Sequence, residues 1–289
     1  MTSLKLRPAT WKTRGRAGTV VFYLVCTVLA ILFLFPLVWS TFTAFKPAEE
    51  ANASPANFWP SRLSLANFSY LAVYGAGIGR YIANSVAVAV ITVAGTIVLS
   101  VLGGYGFARF SFPGKNAAFL VVLTTLMVPF QSILTPLYLL LRVIHVQDTL
   151  LGLGLVYVTF QMPFAVYMMK NAFESVPREL EEAALLDGCS SWSLLTRVMM
   201  PVVLPGIITV GLFAFFASWN EFLAALIFMS DPEKFTLPVM LLNAQSGTFG
   251  AVNWGALQAG LAISMLPCAA LFLLLQRYYV NGLIAGAVK

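Results

Sequence analysis

Apolar runs of about twenty or more residues alternate with polar segments along most of this chain. A helix of about twenty apolar residues crosses the roughly 30 Å hydrocarbon core of a bilayer, so the pattern predicts membrane-spanning helices. Proline bends a membrane helix, and Pro129 and Pro136 therefore predict kinks in the third of these spans. The six predicted spans lie at about 20–39, 81–108, 117–141, 150–169, 202–229 and 256–276.

An acidic polar segment at 174–201 separates the fourth and fifth spans. Ser175 is a common helix-capping residue, and Pro177 suits a first helical turn that needs no amide donor. Glycine often ends a helix, so a short helix is predicted between Pro177 and Gly188. A second short helix follows, and Pro201 is expected to interrupt it before the next apolar run. The segment is therefore predicted to form a bent pair of short helices.

The composition agrees with a membrane protein and disagrees with a soluble domain. Hydrophobic residues make up 60% of the chain and charged residues 10%, with a mean hydropathy of +0.86. Soluble domains carry about 25% charged residues. The net charge is +6, but the basic residues are scattered between apolar runs, and nucleic-acid binding is therefore not predicted.

Catalytic and metal chemistry are not indicated by the residue pattern. The 3 cysteines and 1 histidine show no disulfide or metal-ligand spacing, so neither a metal site nor an enzyme centre is predicted. The segment Pro113-Gly114-Lys115-Asn116 lacks the spacing and hydroxyl group of a phosphate-binding loop. The chain is therefore expected to draw on ATP hydrolysis only through another protein.

Basic residues also predict the orientation in the membrane. Most of the 17 Lys and Arg residues lie in the N-terminal tail, the 109–117 connector, the 174–201 segment and the C-terminal end. The positive-inside rule places these parts in the cytoplasm. A signal peptide is the alternative for the first apolar run, but the run is too long and Ala51-Asn52-Ala53 lies well beyond it. An uncleaved first helix is therefore predicted.

Glu221 is the only acidic residue within a predicted span, and Asn220 precedes it. Placing an ionisable group at mid-membrane costs about 2.5–3.5 kcal/mol on insertion scales, and such groups usually face a polar path or a partner. Two interpretations stay open: the pair lines a translocation path or subunit interface, or Glu221 is a structural carboxyl held by hydrogen bonds. An ion-coupled secondary carrier using Glu221 is the alternative function, although the sequence shows no internal repeat.

The polar segment resembles the EAA loop of permease subunits in binding-protein-dependent ABC importers. That motif is Glu-Ala-Ala, three residues, Gly, nine residues, then Ile-x-Leu-Pro, and Val and Met replace its Ile and Leu here. The matching residues are Glu182, Ala183, Ala184, Gly188, Val198, Met200 and Pro201. The resemblance implies that this loop forms a coupling helix seated in a cleft of the ATPase subunit. Glu182 is then expected to bind an Arg of the ATPase, whereas Glu179 and Glu181 are expected to be solvated acids.

The resemblance extends over nearly the whole chain. Ser218-Trp-Asn-Glu-Phe222 is similar to the sugar-importer branch of the family, and Asn84-Ser85 also matches the family pattern. The C-terminal residues look like the tail of the smaller maltose-type permease subunit, which reaches into the ATPase dimer. The tail residues that this implies as ATPase contacts are Asn281, Gly282, Leu283, Gly286 and Lys289.

The predicted fold is therefore an all-α polytopic membrane protein with six transmembrane helices, like a type I ABC importer, with a cytoplasmic coupling helix. The resemblance implies import of a sugar, polyol or glycerol phosphate by alternating access across the bacterial cytoplasmic membrane. It also implies a homologous second permease in a heterodimer, an ATPase dimer holding ATP-Mg²⁺, an extracytoplasmic solute-binding protein and membrane lipid as partners. This chain itself is expected to bind no cofactor. The expected parts are a basic tail (1–18), a first helix (19–42), an external loop (43–79), a five-helix core (80–277) with the coupling loop at 174–201, and a C-terminal tail (278–289).

Overall fold

The computed structural model describes residues 16–53, 57–245 and 252–287, with side chains from 18 to 276 within those ranges. The described residues are predominantly helical. In chain order the α-helices are α1 (Arg16–Ala44), α2 (Ala48–Ala51), α3 (Ala66–Val73), α4 (Ile78–Arg109), α5 (Lys115–Thr124), α6 (Leu134–Val143), α7 (Leu150–Glu174), α8 (Arg178–Leu186), α9 (Ser191–Ser193), α10 (Met200–Val202), α11 (Leu204–Asn220), α12 (Leu223–Phe228), α13 (Leu237–Ala244) and α14 (Trp254–Ala287).

Within the described part of the chain, four helices are each long and apolar enough to cross a membrane: α1, α4, α7 and α14. Two bent pairs add a third and a fifth span, and the six predicted spans are recovered when each pair counts as one. The helix α14 also continues to Ala287, through most of the segment predicted as a C-terminal tail.

The centre of the bundle is the contact between α4 and α7, with α11 packed across both. Gly104 shows how closely the two helices approach. A Cβ atom added there would lie 2.5 Å from the Cβ of Met169 and 2.9 Å from the backbone nitrogen of Lys170. Small residues permit such close packing between membrane helices, and the buried Ser100 and Gly104 confirm the small-residue surface expected on the second span.

The third span is broken, where the sequence predicted a kinked but continuous helix. The pieces Lys115–Met127 and Phe130–Val143 meet at an angle of 99°. Proline disfavours helical geometry at the residue before it, and Val128 accordingly takes an extended conformation (φ −79°, ψ 118°) ahead of Pro129. Pro136, by contrast, lies in the first turn of α6, where it causes no break.

The fifth span differs from its prediction at both ends. Pro201 does not interrupt the helix in which it lies. The π-helical turn Leu194–Met199 precedes it, and the helix continues through α10. The 79° bend comes at Val203, ahead of α11. At the other end, Glu221 is extended (φ −73°, ψ 131°), so α11 ends there and α12 starts as a separate helix. The prediction of one continuous helix over 202–229 is therefore wrong.

The 43–79 segment is an ordered cap on one end of the bundle where the structure describes it. Lys46 is 1% exposed, and its ammonium group donates to the carbonyl oxygen of Asn57. The buried Asn67 side chain donates to the carbonyl oxygens of Ala44 (3.0 Å) and Lys46 (2.9 Å). The backbone carbonyl groups of Ala44, Lys46 and Asn57 thus accept hydrogen bonds from side chains of the same segment, and these bonds fix its path.

Candidate coupling surface

The helix α8 is positioned by its ends. It starts after Pro177, and its C-terminus is closed by hydrogen bonds from the backbone amides of Gly188 to Leu185 O (3.0 Å) and of Cys189 to Ala184 O (3.0 Å). This Schellman arrangement requires a left-handed residue, and Gly188 supplies it with φ +80°. The predicted helix stop is confirmed. Ser175, however, does not cap α8.

The hydroxyl of Ser175 instead donates to the carbonyl oxygen of Ala172, at the end of α7 (2.8 Å). The cap of the next short helix is Ser190, whose hydroxyl oxygen accepts from the amide of Ser193 at 3.3 Å. The two helices of the polar segment therefore begin at residues 178 and 191, on either side of the turn at Gly188.

One face of the α8 region is exposed and carries both charge and apolar surface. Glu182, Ala183 and Gly188 are exposed. Three large apolar side chains lie beside them in the chain: Leu185 (53% exposed), Leu186 (89%) and Trp192 (66%). Large exposed apolar side chains beside charged ones are typical of a protein-docking site.

The opposite face of the same segment belongs to the core. Ala184 is 9% exposed and joins a buried cluster with residues of α4, α7 and α11, among them Tyr105, Phe173 and Ile207. Val198 and Met200 pack against this cluster and are partly buried, whereas Pro201 is exposed. The motif residues thus fall into two groups: Glu182, Ala183 and Gly188 face outward with Pro201, and Ala184, Val198 and Met200 anchor the segment to the bundle.

An ion pair joins α8 to the end of α4, and the sequence did not predict it. The guanidinium Nε of Arg109 lies 2.5 Å from Oε1 of Glu181, and the two side chains are only 7% and 16% exposed. A terminal guanidinium nitrogen of Arg109 also donates to the carbonyl oxygen of Val176 at 2.6 Å. The expectation that Glu181 is a solvated acid is therefore wrong, whereas Glu179 is exposed as expected.

Glu221 occupies the break between α11 and α12. Its carboxylate accepts hydrogen bonds from the backbone amides of Ala224 (3.0 and 3.1 Å) and Ala225 (3.2 Å) and from the hydroxyl of Tyr157. These contacts satisfy two of the unpaired amides at the start of α12. Of the two interpretations left open by the sequence, this geometry favours the structural carboxyl.

Asn220 takes a different position from its neighbour. Its side chain is exposed and lines a cavity of about 330 Å³ between α11, α13 and α14. Other residues that line the cavity are Trp219, Gln245, Leu257 and Ser264. The cavity lies at the end of the bundle opposite α8 and offers amide and hydroxyl groups beside an apolar wall.

Residues 230–237, called the strap here, cross that same end of the bundle and are tied to α4. The buried side chain of Asn84 donates to the carbonyl oxygens of Glu233 (2.8 Å) and Phe235 (3.0 Å). The hydroxyl of the buried Ser85 accepts from the amide of Leu237 at 2.8 Å. In the sequence, Asn84 and Ser85 are notable only because they match the family pattern. In the structure, their side chains hold the strap against α4.

Asp148 ties the strap to the segment before α7. Its carboxylate accepts from the amides of Ser230 (2.9 Å) and Asp231 (3.3 Å) and pairs with the ammonium group of Lys234 at 3.2 Å. Partial burial alone would raise the pKa of Asp148, but the two amide hydrogen bonds and Lys234 outweigh it and hold the pKa below its usual value. Asp148 itself sits at φ +53°, so these contacts maintain an uncommon backbone conformation.

The proposed tail contacts are not described at the level of side chains. Asn281, Gly282, Leu283 and Gly286 lie on the last turns of α14, beyond the described side chains, and Lys289 lies outside the described residues altogether. Across the described ranges, no group of three or more His, Cys, Asp or Glu side chains is placed to hold a metal ion.

Comparison with known proteins agrees with this architecture. Residues 97–284 match the family described as the binding-protein-dependent transport system inner membrane component. The probable ABC transporter permease YurM of Bacillus subtilis is 34% identical over 263 residues, which cover 90% of this chain and 85% of YurM. The sulfoquinovosyl glycerol transport permease SmoH of Agrobacterium fabrum is 33% identical over 273 residues, covering 94% of this chain and 95% of SmoH.

A third relative, the diacetylchitobiose uptake permease DasC of Streptomyces coelicolor, is 32% identical over 276 residues, covering 96% of this chain and 99% of DasC. Among solved structures, a chain of a bacterial ABC transporter that imports alginate superimposes with a TM-score of 0.78 at 19% identity, covering 91% of this chain and 97% of that one. At that identity the match bears on the fold. The chain belongs to the family of inner membrane components of binding-protein-dependent transport systems, and it is a multi-pass ABC transporter permease.

Proposed function

We propose that this chain is the permease subunit through which a bacterial ABC importer moves a carbohydrate or related solute by alternating access. Relatives named for sulfoquinovosyl glycerol, diacetylchitobiose and arabinooligosaccharides support a glycan-type solute. A polyol or glycerol phosphate belongs to the same proposal. The chain is a transport component, and the proposal assigns ATP-Mg²⁺ binding and catalysis entirely to a partner ATPase.

The observation that carries the proposal is the two-sided build of α8. Its inward face is held in the buried cluster through Ala184, and its outward face presents Glu182 beside Leu185 and Leu186. A carboxylate within an apolar patch can make a charge-assisted hydrogen bond to a partner Arg once water is excluded. We assign this face to the ATPase, which places α8 and both chain termini in the cytoplasm. The α14 tail, with Asn281, Gly282, Leu283, Gly286 and Lys289, is assigned to the same partner.

The opposite end of the bundle is then extracytoplasmic. We assign the strap and the ordered 43–79 segment to the surface that receives the solute-binding protein. A homologous second permease completes the membrane unit, and its contact with this chain buries part of the apolar surface that remains exposed on the spans. Asn220 is assigned to the solute path because its side chain is exposed to the cavity at the extracytoplasmic end.

The test is affinity purification of the tagged chain from native membranes in mild detergent, with every co-purifying protein identified. Glu182→Lys places a cation where we expect a partner Arg, and like charges at an interface cost several kcal/mol. We expect this variant to insert normally and to lose the ATPase. Glu179→Lys, a change at another exposed acid of the same helix, is the matched control and should retain it.

A co-purifying binding protein would then be titrated calorimetrically with mono- and oligosaccharides, polyols and glycerol phosphate. Binding of one of these classes supports the assigned solute. Retention of the ATPase by the Glu182→Lys variant would refute the coupling role of that residue. Absence of any ATPase from the unmodified chain would contradict the importer proposal itself.

A further inference from the structure

The contact between Arg109 and Glu181 joins two parts of the molecule that the proposed function requires to move together. Arg109 is the last residue of α4, and Glu181 lies on α8. Among the described ion pairs it is the one that links α8 to a membrane span, since the Lys170–Glu174 pair at the same end lies within α7. The Arg109 side chain also holds the carbonyl oxygen of Val176, two residues before α8 begins.

A nearly buried ion pair is a poor source of stability, because removing both charges from water offsets most of their attraction. Its physical effect is instead to fix the position of α8 relative to α4. If α8 slid relative to α4, Arg109 and Glu181 would be left unpaired at 7% and 16% exposure, which is costly for each charge. The apolar contacts around Ala184 tolerate small slides more readily than a guanidinium group that is paired with the Glu181 carboxylate and donates to the carbonyl oxygen of Val176. The pair therefore opposes relative motion of the two helices.

The other end of α4 is fastened in a similar way. Asn84 and Ser85, both 4% exposed, hold three backbone groups of the strap. From Asn84 to Arg109 the helix spans about 37 Å at 1.5 Å per residue. α4 is continuous over this length, whereas the third and fifth spans each contain a sharp bend. Polar side chains thus fasten one unbroken helix to α8 at one end and to the strap at the other.

We propose that α4 acts as a rigid helix that transmits motion of α8 to the strap. Arg109 is then the positioning residue that fixes α8 to α4. The proposal rests on the proposed function, because the motion of α8 comes from the ATPase. Arg109 touches neither nucleotide nor solute in this scheme, and it acts through Glu181 and Val176. Removing it should uncouple the strap from the ATPase while leaving ATPase docking in place.

The experiment measures strap motion in the full chain with its co-purified ATPase. Cys26, Cys189 and Cys268 are replaced by Ser, and Glu233→Cys supplies a single exposed thiol on the strap. The rate of maleimide labelling at that thiol is compared without nucleotide and after trapping with ATP-Mg²⁺ and vanadate. In this parent the rate should change about tenfold on trapping, within the usual range of allosteric coupling.

The Arg109→Ala and Glu181→Gln variants should keep the ATPase and its hydrolysis rate but lose most of the nucleotide-dependent change in labelling. Glu181→Gln preserves side-chain volume, so it remains informative if Arg109→Ala fails to fold. The exchanged pair Arg109→Glu with Glu181→Arg should recover part of the change, since it restores the ion pair but not the hydrogen bond to Val176. Glu174→Gln, which breaks the ion pair within α7 at the more exposed of its two side chains, is the control and should behave as the parent.

A full nucleotide-dependent change in both Arg109→Ala and Glu181→Gln would overturn the role of this pair. A parent whose strap thiol labels equally fast in both states would overturn transmission through α4. Both results are distinct from failure of the proposed function, in which no ATPase accompanies the parent at all.

Discussion

Replacing Gly188 by Ala tests the coupling surface through the backbone alone. Gly188 has φ +80° and closes the C-terminus of α8, and a Cβ atom added there would meet nothing within 4 Å. The new methyl group therefore causes no clash, and its cost is the left-handed conformation, about 1–2 kcal/mol for a residue with a side chain. If α8 must keep this C-terminal conformation in order to bind the ATPase, a cost of that size lowers the affinity for the ATPase by about 5- to 30-fold.

The assay is a titration of the purified ATPase onto the chain in lipid nanodiscs, with binding followed by interferometry. Gly188→Asn should lose less affinity than Gly188→Ala, because Asn tolerates the left-handed region better. Gly114→Ala is the matched control: Gly114 has φ +77°, also lies outside the spans and also has open space at its Cβ position. It carries the same backbone strain away from α8 and should leave affinity unchanged. Equal losses in the Gly188 and Gly114 variants would refute the reasoning.

Three further predictions concern the rest of the bundle. Gly104→Ala should destabilise the protein by about 1–3 kcal/mol, seen as a lower thermal unfolding temperature in detergent, because its Cβ would collide with Met169. Glu221→Ala should cost about 1–2 kcal/mol in the same assay by removing the cap of α12, and an unchanged unfolding temperature would argue against that structural role. The pKa of Asp148 is lowered in the folded protein, so its carboxylate contributes fully to the free energy of unfolding above the usual Asp pKa of about 3.9, and this contribution is lost as pH falls through the pKa of the folded state. Asp148→Asn should therefore weaken the acid dependence of stability measured by pH-jump unfolding.

The membrane spans could be predicted from the sequence because span length and apolar content are local properties. The motif residues from Glu182 to Pro201 were also visible, since they lie within one short stretch of chain. The π-helical turn before Pro201 could not be predicted, because a proline is compatible with either an interruption or a local widening of the helix. Neighbouring helices decide between the two through packing.

Glu181 shows the limit of local reasoning most clearly. In the sequence it is one acid among several on a short helix, and Arg109 lies far away along the chain. Only the packing of α8 against α4 brings the two charges together and buries them. The same holds for Glu221, whose partner Tyr157 lies on α7, and for Asn84, whose acceptors lie on the strap.

The sequence by itself determined the class of protein, the number of spans and the location of the polar segment between the fourth and fifth spans. Each follows from composition or from residues close together in the chain. The tertiary structure alone decided which motif residues face outward, where the third and fifth spans break, and which charges are paired. These features depend on contacts between residues distant in sequence, and the free energy of burying a polar group depends on the partner that the fold provides.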